Sequence, residues 1–136
     1  MTSTSRSAAL LKATVKGDLS AVNRELEAGA KVNATTPLGS SLLHTAVLGD
    51  FIQVAELLIE YGAKVDGVDD FGKTPLHCAA RTGGQELATL LIDHGADINA
   101  KARNGSHPMD WAIKFQHEAM ETLLSELGGE LGKPLR

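Results

Sequence analysis

The chain carries one cysteine, Cys78, among its 136 residues, so no internal disulfide can brace it. A lone thiol fits a reducing compartment. Long apolar runs are missing as well. The first apolar stretch, Ala8-Ala9-Leu10-Leu11, follows the polar lead-in Met1–Ser7 and is broken by Lys12. It falls short of a signal-peptide core and of the roughly 18 apolar residues of a membrane helix. Cationic excess is absent: 13 Lys and Arg face 17 Asp and Glu, for a formal net charge of −4. These bases are scattered among acids, so neither nucleic acid nor a membrane surface is expected as partner. No glycine-rich loop cradles a phosphate, and no spaced carboxylate pair or Ser/His/Asp set stands out. No catalytic residue, cofactor or metal ligand is therefore assigned. From these absences one intracellular domain is expected, cytoplasmic or nuclear, with no positive support for an enzyme.

What the chain does have is a period. Gly29, Gly62, Gly95 and Gly128 fall 33 positions apart, and Gly39, Gly72 and Gly105 form a second ladder with the same step. The phrases after the first ladder repeat: Gly29-Ala30-Lys31-Val32-Asn33, Gly62-Ala63-Lys64-Val65-Asp66 and Gly95-Ala96-Asp97-Ile98-Asn99. Such self-similarity is the mark of a stacked array. Within each unit a short apolar segment, Leu42-Leu43-His44 or Pro75-Leu76-His77, precedes a longer amphipathic one. The second segments place Val54, Leu57, Leu58 and Tyr61, then Leu87, Leu90, Leu91 and His94, at helical spacing. Thr74 suits an N-cap and Pro75 the first helical position, where its missing N–H costs nothing. Gly62 and Gly95 suit the left-handed residue that ends a helix. Each Gly-Ala tail is extended and β-branched, and predicts a hairpin-like loop to the next unit.

Thr74-Pro75-Leu76-His77-Cys78-Ala79 matches the T-P-L-H-x-A phrase of ankyrin repeats, at that family's 33-residue period. Over residues 6 to 128 the chain resembles that family. The resemblance implies an all-α ankyrin-repeat solenoid: four helix-turn-helix units, about 6–37, 38–70, 71–103 and 104–136, within a single domain spanning 1–136. The outer units depart from the phrase, with Ala8–Leu11 in the first and His107-Pro108-Met109-Asp110 in the fourth. Glu25 replaces the leucine found at Leu58, Leu91 and Leu124. The last helix offers Glu118, Glu121, Thr122, Ser125 and Glu126 on a polar face, so both ends are expected to be caps. In this reading the four units form a whole stack.

The resemblance also implies what the chain does. It describes a monomeric, non-catalytic module that binds another protein as inhibitor, adaptor or assembly factor. A bacterial immunity or effector protein is the alternative within that class, and an enzyme or small-molecule binder the alternative outside it. Contact positions in the family flank the loop glycine and follow the first helix. Here they are Leu38, Ser40, Asp70, Phe71, Lys73, Arg103 and Asn104 at the loop tips, and Leu48, Arg81, Thr82, Lys114 and Phe115 on the helices. Leu38 and Phe71 are apolar where the repeat requires nothing apolar, and cations surround them, which suggests a hydrophobic centre with a cationic rim. Alternatively they tuck against neighbouring loops. His44 and His77 are expected to tie loop to helix, and Cys78 to pack. Trp111 is expected to fill the last unit's core near Met109, Ile113 and Met120, with an anchor role as the alternative. Asn33 and Asn99 are expected to satisfy their own loops. In animal relatives such asparagines can be hydroxylated, and Asn99 fits that pattern better.

Overall fold

The computed structural model describes residues 2–135. Eight helices occur among them: α1 (Ser3–Lys16), α2 (Leu19–Glu27), α3 (Leu42–Leu48), α4 (Ile52–Glu60), α5 (Pro75–Thr82), α6 (Gln85–Asp93), α7 (Pro108–Lys114) and α8 (Glu118–Glu126). Helices α1, α3, α5 and α7 pack in series as one layer, and α2, α4, α6 and α8 as a second. This is the all-α solenoid that the period predicts.

The sequence starts and stops these helices by identifiable devices. Ser41 and Thr74 cap α3 and α5, their hydroxyls accepting the N–H of His44 and His77. Pro75 and Pro108 open α5 and α7. Between the helices of each pair the chain turns through a left-handed residue: Gly17, Asp50, Gly83 or Gln116. At Gly62 and Gly95, φ is 96° and 92°. A Cβ built there would meet nothing within 4 Å, so backbone conformation alone selects glycine.

Between the layers, Leu58, Leu91 and Leu124 are fully buried, as are Leu42, Leu76, Leu87 and Met120. Each such side chain contributes about 1.5–3 kcal/mol relative to exposure. Ala46, Ala79 and Ala112, all at 0% exposure, let successive inner helices approach. Tyr61 and His94 depart from the predicted stripe: both sit on exposed C-caps of α4 and α6.

The loops joining the units are hairpin-like in hydrogen bonding. Thr36, Asp69 and Ala102 donate to the carbonyls of Ser40, Lys73 and Ser106 at 2.9–3.1 Å. Only Thr35 and Ser41 form a β-bridge among the described residues. Successive loops are also tied together. Asp70 N–H donates to the Leu38 carbonyl at 3.3 Å, Arg103 to Phe71 at 3.0 Å, and Lys133 to Gly105 at 2.8 Å.

A candidate protein-binding groove

Two histidines fix the loops against the inner helices. His77 Nδ1 accepts the Thr74 N–H at 3.0 Å, and its Nε2–H donates to the Ser106 carbonyl at 3.0 Å. His44 does the same with Ser41 at 3.2 Å and Lys73 at 2.7 Å. This pattern requires the neutral ring. Burial holds both pKa values below the ordinary 6.5, against an opposing pull from the carbonyl hydrogen bonds. In the fourth unit Asp110 takes the histidine position, and its Oδ2 accepts the N–H of His107 and of Gly132, each at 2.8 Å. Burial pushes the Cys78 thiol up to about 11, so it stays protonated and packs.

On this footing the loop tips meet the first helices. Asp69 Oδ1 accepts the N–H groups of Phe71 and Lys73, both at 2.9 Å, and so shapes the tip that presents Phe71. Leu38 is 66% and Phe71 60% exposed, so neither tucks against a neighbouring loop. The Lys73 ammonium lies 3.7 Å from Asp69 Oδ2, 5.6 Å from the Phe71 ring centre and 5.4 Å from that of Trp111. Trp111 stacks on Phe115 with ring centres 6.0 Å apart, and Arg81 lies 5.3 Å above Phe115. Such held cations are attracted by the ring faces. Phe71, Lys73, Ala102, Arg103, Asn104 and Trp111 line a hollow of about 280 Å³.

Trp111 packs in part against the core, as expected, and leaves the rest of its ring uncovered. It is half-buried on the groove side of α7, with its indole N–H on Ser106 Oγ at 3.0 Å, so its outer face belongs to the groove. The 33-residue register held the signal: Trp111 follows Cys78 and Thr45 on the inner layer. Asn33 and Asn99 differ from expectation, because their amides bridge to the next unit instead of their own loops. Asn33 holds Gly62 and Lys64, and Asn99 holds the Gly128 carbonyl and the Glu130 N–H.

Of the other predicted positions, Leu48, Arg81, Thr82, Arg103, Asn104, Lys114 and Phe115 are exposed, as is Asp70, while Ser40 is half-buried. Thr82 turns its hydroxyl back onto the Cys78 and Ala79 carbonyls. Asn104 spends its carbonyl on the Ser106 N–H and hydroxyl. Leu38, Ser40 and Leu48 do not line the Phe71–Trp111 hollow. Val15, which sequence reading passed over, is exposed in the Leu48 position of the first unit.

Larger hollows lie elsewhere and are lined in part by carboxylates. One, about 590 Å³, is bordered by Asp50, Phe51, Glu56 and Glu86, another, about 510 Å³, by Ile113, Glu121 and Glu126, and a third, about 390 Å³, by Ser41, Lys64 and Asp66. Among the described residues no helix is long and apolar enough to cross a membrane. A family model for ankyrin repeats, in three copies, matches residues 10–102. No curated protein matches the chain.

Proposed function

The chain belongs to the ankyrin-repeat family, and from that premise we propose that it acts inside the cell without catalysis, holding a segment of another protein in the groove between its loop tips and inner helices. Ankyrin repeats in general are protein–protein interaction modules. The observation that carries the site assignment is the exposed Phe71 beside half-buried Trp111, in a hollow edged by Lys73 and Arg103. An apolar centre ringed by polar groups is how protein interfaces concentrate their energy. Bound there, the chain would act as inhibitor, adaptor or assembly factor according to what the partner loses or gains.

The test is affinity capture from the native cell, followed by titration of the purified partner against wild type and a Phe71→Ala, Arg81→Ala double variant. The account expects a loss of affinity of about 100-fold, the scale of truncating an aromatic and an arginine anchor. Equal affinity for both proteins would remove the groove from consideration.

A further inference from the structure

The charged residues divide between the two helix layers. On α1, α3, α5 and α7 every charged residue except Asp110 is basic: Arg6, Lys12, Lys16, Arg81 and Lys114. Asp110 is buried and taken up by backbone N–H groups. On α2, α4, α6 and α8 every charged residue except Arg24 is a carboxylate. Arg6 is paired with Glu25 of α2, and Lys12 and Lys16 line a hollow with Asp18 and Glu25, so the cations these helices bring to the groove are Arg81 and Lys114. At the loop tips Arg103 joins them, Lys73 and Asp69 neutralise each other, and exposed Asp70 is the one opposing charge, set against three cations.

Resting on the groove reading above, we propose that the occupant is an acidic segment of another protein with one large apolar side chain. That side chain seats between Phe71 and Trp111, while flanking carboxylates meet Arg81, Arg103 and Lys114. Charge complementarity selects the acidic flank. The hollow of about 280 Å³ with two aromatic walls selects the apolar anchor. Arg81 is already steadied over Phe115, so less side-chain freedom is lost when a carboxylate arrives.

Two other polyanionic occupants are to be distinguished from it. A nucleic-acid backbone would match the cations and leave Leu38, Leu48 and Phe71 uncovered. A second copy would offer the acidic outer layer, whose central helices present one exposed large apolar side chain, Tyr61 at the C-cap of α4, so self-association is one of the outcomes the test separates.

The test uses the full chain. A random peptide library displayed on phage is selected on wild type, and clones are rescreened on Phe71→Ala, Arg81→Glu and Lys114→Glu. All three positions are exposed, and matching melting temperatures verify that each variant folds. The expected clones concentrate Asp and Glu around one large apolar residue. As synthetic peptides they shift the emission of Trp111, the only tryptophan, and they weaken about 10-fold or more on either charge reversal. Groove-dependent clones that are neutral or basic overturn the acidic assignment and leave the groove reading standing. Clones that bind Phe71→Ala as they bind wild type, or no clones at all, overturn both. Oligothymidylate binding more tightly than the best peptide, or self-association abolished by Arg81→Glu, overturns the proposal in favour of those occupants.

Discussion

At the residue scale, His44 and His77 do the most work per atom. Each is fully buried and uses both ring nitrogens, one on its own helix start and one on the following loop. Replacing His77 by Ala leaves a buried N–H and a buried carbonyl without partners. The expected loss is about 2–4 kcal/mol, read as a shift in urea midpoint. The same residues set a pH dependence. Their folded pKa values lie below 6.5, so under acid the unfolded chain binds more protons than the folded one. Their contribution is complete above pH 6.5 and is lost as pH falls through the folded values. Urea midpoints measured from pH 7.5 down to 5 should therefore fall, and His77→Gln should flatten part of that fall. Glycine at the helix ends makes a different demand. Gly62→Ala meets no atom and costs only the left-handed backbone, about 1–2 kcal/mol by the same measurement.

At the scale of elements, the helices were legible because period, cap and turn signals coincide. Thr74-Pro75 starts α5 and Gly83 ends it. The loops were legible only in outline. That Asn99 would reach forward to Gly128 and Glu130 depends on how neighbouring units stack, which no local pattern records. The same holds for the tail: Glu130, Gly132 and Lys133 bond to His107, Asp110 and Gly105 in the manner of one more loop. Asn99→Ala should release this segment first. Amide exchange at Glu130, Gly132 and Lys133 should quicken while α5 and α6 keep their protection. Asp69 carries a parallel prediction for the groove. Asp69→Ala removes the acceptor that shapes the Phe71 tip, so partner affinity should drop by about 10-fold or more with Phe71 itself unchanged. Sequence spacing placed Phe71 at the tip and gave no sign of its support, since Thr36 and Ala102 stand in the equivalent positions of the other loops.

At the scale of the molecule, repetition supplies the frame and difference supplies the site. Leu48, Arg81 and Lys114 occupy one slot, as do Leu38, Phe71 and Asn104, so the groove grades from aliphatic to aromatic and cationic along the stack. Helical spacing favoured the core for Trp111 over the alternative anchor role because it counts only the side facing the core. Its other face became visible once α7 was laid beside the Phe71 loop. We propose that the outer units act as caps. Glu25, paired with Arg6 at 4.0 Å, polarises the first, though Ile113, Leu127 and Leu131 remain exposed on the last.

The groove assignment is tested most directly by an amide-exchange footprint of the chain bound to its captured partner. Protection should appear at residues 70–73, in the Arg81–Gly83 turn and from Arg103 to Phe115, with α2, α4, α6 and α8 exchanging as in the free chain. Protection confined to those outer helices, with the Phe71 and Trp111 segments unchanged, would contradict the account.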